Sequence, residues 1–206
     1  MRYITILLSA LTLTATSGYA KIKSLTVTST AFTSNGSIPV KYSCLGQQVS
    51  PPLTVAGIPE QAKSLAIVVC DPDQPANITT SVTKSSTVGK KGKKKTVTTS
   101  SNQTMSACTV DGYTNWIVWN VDIADTMYTI PEDFRGDNVG RNSAGTAGYV
   151  GLCPQSGTHH YHFMVYALDT KLNVDKTVTK SKLEKVMEGH ILGRGELVGV
   201  YNKTYK

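Results

Sequence analysis

At 206 residues, with 40% hydrophobic side chains, the chain has material for one domain with a real core and little room for two. Its 21 basic residues outnumber 14 acidic ones, a formal charge of +7 at pH 7. Six of the lysines (Lys84, Lys90, Lys91, Lys93, Lys94 and Lys95) fall in one acid-free segment. The remainder is therefore close to neutral, which excludes a uniformly basic nucleic-acid-binding fold.

Met1–Ala20 reads as a secretory leader: Arg2 supplies the positive start, Ile4–Leu13 the apolar middle, and Gly18-Tyr19-Ala20 the small cleavage residues. An apolar run of about ten residues is too short to cross roughly 30 Å of hydrocarbon as a helix. No cysteine lies near the cut, which argues against a lipid-anchored form. The expectation is a periplasmic or secreted protein whose single domain occupies 21–206.

Strand signals dominate that domain. Leu25-Thr26-Val27-Thr28-Ser29 alternates with period two, and Ser64-Leu65-Ala66-Ile67-Val68-Val69-Cys70 is a continuous apolar run suited to a buried strand. Ala76–Val110 breaks the pattern with Ser, Thr and Lys and few apolar residues, too little to offset the entropy of ordering it. It is expected to be a mobile loop or extended hairpin inserted in the domain. Asn115–Val121 is the next strand, rich in aromatic and β-branched residues. His160–Leu168 and Leu197–Tyr201 complete the set. Ser181–Leu192 alone has helical periodicity, with Leu183, Val186, Met187, His190 and Ile191 on one face and Gly193 as its stop. The fold class is mainly β, with a few short helices including one near the C-terminus.

Export makes Cys44, Cys70, Cys108 and Cys153 candidates for disulfides, with three complete pairings open and free buried thiols as the alternative. A Cys70–Cys108 bridge would pin the base of the insertion, closing a loop of roughly forty residues for about 3–4 kcal/mol in the entropic model. Asn35, Asn77, Asn102 and Asn202 each begin an Asn-X-Ser/Thr triplet, which matters only in a eukaryotic secretory pathway.

Two polar turns carry the chemistry. Asp71-Pro72-Asp73-Gln74-Pro75 leaves the buried apolar run, and the glycine-rich Gly148–Gly157 runs into Thr158-His159-His160-Tyr161. Amides freed by such a turn, beside imidazole and phenol groups, make a cradle for a small anion. On a strand, His159 and Tyr161 share one face while His160 and His162 share the other.

These residues resemble the phosphatidylethanolamine-binding protein family, in particular its bacterial, Raf-kinase-inhibitor-like branch. Tyr42-Ser43-Cys44-Leu45-Gly46 is similar to that family's Tyr-Thr-Cys-Asp-Gly. Ser50-Pro51-Pro52-Leu53 with Gly57-Ile58-Pro59 is similar to its Ser-Pro-Pro-Leu and Gly-Val-Pro segments. Asp71–Pro75 resembles Asp-Pro-Asp-Ala-Pro, and Gly148–Tyr161 resembles the second signature ending Ser-Gly-Thr-His-Arg-Tyr. Gly189–Leu192 and Glu196–Tyr201 match the branch's C-terminal end. Five pieces in order form a specific match covering most of the chain after the leader.

The resemblance implies a β-sandwich with a surface pocket for phosphate-type anions, including phospholipid headgroups. The implied lining is Asp71, Asp73, Asn115, Gly151, Pro154, His159 and Tyr161. His159 and Tyr161 would contact the anion, and the aspartates would orient His159 and its neighbours or receive an ammonium group. Cysteines within two matching motifs imply the pairing Cys44–Cys153, leaving Cys70–Cys108. Two departures stand out: Asn115 where the family usually has a pocket histidine, and His160 in place of an arginine. Asparagine keeps a neutral donor but loses any positive charge.

The expected function is binding of a phosphate-bearing small molecule or headgroup, without catalysis or cofactor. No Ser or Cys sits in a nucleophile-elbow pattern, which argues against a hydrolase. A metal cluster of Cys153, His159, His160 and His162 is not expected, because adjacent histidines point to opposite faces and an exported cysteine is oxidised. The alternative is a protein-interaction module, a protease- or kinase-type inhibitor or secreted effector, using the basic insertion. Lys90, Lys91, Lys93, Lys94 and Lys95 would also suit peripheral contact with an anionic membrane, at about 1 kcal/mol per lysine.

Overall fold

The computed structural model describes residues 21–75, 108 and 112–203. The leader and all but Cys108 of the segment 76–111 lie outside the described residues, and with them the expectations for both.

Among the described residues eight strands form two sheets: β1 (Lys23–Ser24), β2 (Thr26–Thr28), β3 (Leu53–Ala56), β4 (Ser64–Pro75), β5 (Gly112–Val121), β6 (Met127–Ile130), β7 (Thr158–Leu168) and β8 (Ile191–Asn202). The larger sheet has the order β1-β8-β7-β4-β5, and the smaller β2-β3-β6. The described residues hold one short α-helix, α1 (Lys180–Met187), and a 3-10 turn at Val40–Tyr42. The chain is mainly β, as expected.

The continuous apolar runs become the central strands because both their faces are covered. Leu65, Ile67 and Val69 of β4, Trp116 and Val118 of β5, and Phe163 and Val165 of β7 face the smaller sheet. There they pack with Leu53, Val55 and Ile130. The alternate residues, among them Ala66, Val68, Ile117, Trp119 and Met164, form a second cluster under Leu183 and Met187 of α1.

The helix is shorter than its periodicity predicts. It stops at Met187, not Leu192, because Gly189 takes the left-handed conformation (φ 81°) and His190 N–H closes a turn onto Met187 O. Ile191 and Leu192 then open β8. Both disulfides are formed, Cys44–Cys153 and Cys70–Cys108.

Candidate functional site

The inward-facing rows of β4 and β7 are apolar until their last residues at one end of the sandwich, where Asp71 and then Tyr161 and His159 take over. Asp71 is 1% exposed, and its Oδ2 lies 2.7 Å from His159 Nδ1. Against a carboxylate, that nitrogen carries the proton. Asp71 Oδ1 accepts from the amides of Asp73 (3.0 Å) and Gln74 (3.1 Å), so the Asp-Pro-Asp turn itself holds the carboxylate in place. His159 is left with Nε2, which has no hydrogen-bond partner among the described residues. When the ring is neutral, Nε2 offers a lone pair. When the ring is protonated, it offers a charged N–H.

Tyr161 lies beside His159, the two rings stacked with centroids 6.5 Å apart. Burial, followed by the nearby Asp71 carboxylate, pushes its phenol far above the ordinary range. It is thus neutral at every ordinary pH. Among the described residues its buried Oη has no hydrogen-bond partner, and neither has Oδ1 of Asn115. Two unsatisfied polar atoms in one region are uncommon and mark a place where water or a ligand would complete the bonding.

Asn115 reaches this end of the sheet because the β4–β5 register shifts between Val69/Trp116 and Cys70/Thr114. A bulge re-aims the side chains around it. The neutral donor expected of Asn115 is directed at Val150 O (3.3 Å), leaving an acceptor, the carbonyl oxygen, without a partner. The bulge brings the 148–151 loop close enough to accept one of the two N–H groups of that amide.

Gly151 is buried against the Cys44 loop. A Cβ there would sit 2.7 Å from Cys44 N and from Ser43 C, so only glycine fits without moving backbone. The flanking amides are occupied, Val150 N–H by Asn115 O and Leu152 N–H by Tyr42 O. Among the described residues, Gly151 N–H has no acceptor. Pro154 is buried next to the Cys44–Cys153 bridge. Tyr149 Oη donates to Tyr42 O (2.9 Å), and its ring meets Trp116 edge-on, which ties the loop to the core.

Asp73 belongs to a different pair. Its Oδ2 lies 2.8 Å from both His160 N and His160 Nδ1. Partial burial opposes its ionisation, but the His160 hydrogen bonds and ring charge prevail and hold the carboxyl below the usual range. Asp71 therefore orients His159, and Asp73 orients His160 on the opposite face. A third pair, His162 Nδ1 to Glu196 Oε1 at 2.5 Å, was not foreseen. The bond crosses between β7 and β8, and no local pattern discloses cross-strand register.

Cavities among the described residues also lie elsewhere. One of about 370 Å³ is lined by Pro59, Glu60 and Ile123–Thr126, and one of about 230 Å³ by Val118–Asp122, Tyr128 and Phe134 among others. Neither contains a histidine or cysteine, so the Asp71–His159 end is the stronger candidate.

Comparison with known proteins shows the family and the fold. The model of the phosphatidylethanolamine-binding protein family matches residues 28–88 and 93–202. A UPF0098 protein of Pyrococcus horikoshii is 36% identical over 183 residues, covering 85% of this chain and 75% of that one. A lipoprotein of Mycobacterium tuberculosis, LppC, is 28% identical over 194 residues, covering 93% and 79%. Two crystal structures superpose well. A phosphatidylethanolamine-binding protein homologue of Chlamydia trachomatis does so with a TM-score of 0.67 at 33% identity, covering 88% of this chain and 99% of that one. YbcL of E. coli, described as a member of the mammalian family, gives 0.65 at 26%, covering 87% and 99%.

Proposed function

The chain belongs to the phosphatidylethanolamine-binding protein family, and from that premise we propose that it is an exported protein that binds a phosphate-bearing small molecule or headgroup without turning it over. The observation that carries the reading is the buried Asp71–His159 pair. It fixes an imidazole at the end of the sandwich with Nε2 unpartnered, beside the unsatisfied Tyr161 Oη.

A protonated His159 donates to a phosphate oxygen with charge assistance, and Asp71 stabilises the imidazolium that does so. Gly151 N–H is a second donor in the same loop system. Asn115 Oδ1 is an acceptor, which suits a hydroxyl or ammonium group on the same ligand. This complementarity favours a phosphate ester bearing such a group over inorganic phosphate alone. The non-catalytic part of the reading rests on the lack of a nucleophile-elbow Ser or Cys in the sequence and on both cysteine pairs being closed as disulfides, so covalent catalysis by a thiol is not available. Export is supported by the two disulfides and by the likeness to a lipoprotein.

Titration with phosphoethanolamine and with inorganic phosphate, followed by heat and by Trp116/Trp119 fluorescence, tests the reading. Saturable binding that is lost in His159→Ala is the expected result. Binding unchanged in that variant would remove the pocket assignment, and release of phosphate from the ester would remove the non-catalytic one.

A further inference from the structure

The outward face of β7 carries a second chemistry. His160 and His162 lie two residues apart on one strand and share a face, opposite Val200 and Val198 of β8. Their Cα atoms are therefore separated by about 6.6 Å, twice the strand rise. Each ring is turned by a carboxylate at Nδ1: His160 by Asp73 at 2.8 Å and His162 by Glu196 at 2.5 Å. In both rings Nε2 has no hydrogen-bond partner among the described residues.

A carboxylate on the far nitrogen of an imidazole fixes its tautomer and raises the basicity of the other nitrogen, an arrangement that recurs behind metal-bound histidines. Two such rings, two residues apart on one strand face, present a pair of Nε2 donors on the same side of the sheet. We propose that His160 and His162, each oriented by its carboxylate, bind a late divalent transition ion through their Nε2 atoms.

Imidazole donors suit copper, nickel and zinc, and copper(II) stands highest in the general affinity order. No group of three His, Cys, Asp or Glu side chains among the described residues is arranged to hold an ion. The site is accordingly a two-histidine one, with water or an external ligand completing the coordination. The four-residue cluster considered from sequence fails for separate reasons. Cys153 is in a disulfide, and His159 faces the sandwich interior with Asp71. What remains is the pair that the strand period places together. It is independent of the anion pocket, which lies on the opposite face of β7.

The test uses copper(II) alone on the untagged protein, measured by calorimetry and by electron paramagnetic resonance. The expected result is one copper per chain, with hyperfine structure from two imidazole nitrogens. The signal persists in His159→Ala and is lost in His160→Arg and His162→Gln. Glu196→Gln, which removes the orienting charge, weakens binding by about 10–100-fold. His160 has a side chain 52% exposed, so His160→Arg is decisive even if the less exposed His162 does not tolerate change. A two-nitrogen copper signal retained in His160→Arg overturns the proposal. So does its absence in the unaltered protein, or its loss in His159→Ala. Phosphate binding, read separately, does not depend on any of these outcomes.

Discussion

Single side chains at the site's edge already make measurable commitments. Tyr42 Oη donates to Glu132 Oε2 at 2.7 Å, and Lys41 Nζ lies 2.5 Å from Glu132 Oε1. Burial, then the hydrogen bond and charge of Glu132, push the Tyr42 phenol up to about 12. The lysine and phenol in turn hold Glu132 below the usual carboxylate range. A phenol raised in the folded state stabilises that state while it stays neutral. The contribution is fully present below about pH 10, the ordinary tyrosine value, and disappears as pH rises through about 12. Glu132→Gln keeps an acceptor oxygen but removes the repelling charge, so the Tyr42 inflection should move down while staying above 10, because burial persists. Alkaline titration of phenolate absorbance checks this. An inflection that does not move would show that burial alone sets the value.

At the scale of elements, the loop carrying Gly151 is held by backbone packing as much as by hydrogen bonds. A methyl group placed at Gly151 meets Cys44 N and Ser43 C at 2.7 Å, and neither atom is the end of a flexible side chain. Gly151→Ala should therefore destabilise the fold by about 1–3 kcal/mol, the usual range for overpacking. It should also weaken phosphoethanolamine binding, since the donor loop must shift. Urea unfolding and the ligand titration read the two effects separately. The motif placed Gly151 in the site, but the close backbone approach that requires glycine there was not legible. The same division runs through the fold. β4, β5 and β7 were legible because strands covered on both faces read as continuous apolar runs, whereas β8 alternates in burial and only its Leu197–Tyr201 end was read. β3 and β6 were not, since four residues such as Met127–Ile130 carry too little pattern and are defined by pairing with each other. The helix was placed correctly at its start and overrun at its end, where Gly189 imposed a turn that hydrophobic periodicity cannot register. At the site, the alternation of β7 correctly separated His159 and Tyr161 from His160 and His162. The carboxylate each histidine meets depends on inter-strand register and on the β4 turn. For that reason the sequence could suggest that Asp73 orients a neighbour of His159 but not that the neighbour is His160, and Glu196 was missed.

At the scale of the whole molecule, two crosslinks divide the work of holding long-range contacts. Cys44–Cys153 joins residues 109 apart in sequence, and Cys70–Cys108 residues 38 apart. In the loop-closure model the first contributes about 5 kcal/mol and the second about 4 kcal/mol, because the dependence on length is only logarithmic. Loop length alone thus predicts a small difference. Burial acts the other way: Cys70 and Cys108 lie within the apolar cluster under α1, 0% and 1% exposed, so alanine there also removes packed sulfur. The Cys70→Ala/Cys108→Ala variant should then lose at least as much stability as Cys44→Ala/Cys153→Ala, even though its loop is shorter. Their effects on function should be reversed. The longer crosslink sits against Gly151 and Pro154, and Cys44 N–H bonds Leu152 O, so removing it loosens the loop proposed to supply the anion donors. The shorter one lies on the outer face, where Cys70 stands opposite His162. Equilibrium unfolding of both variants without reductant, with phosphoethanolamine binding measured on each folded protein, distinguishes the two contributions. Weaker ligand binding confined to the Cys44/Cys153 variant is the expected result. Equal loss in both would mean that the pocket depends on global stability and not on its own crosslink.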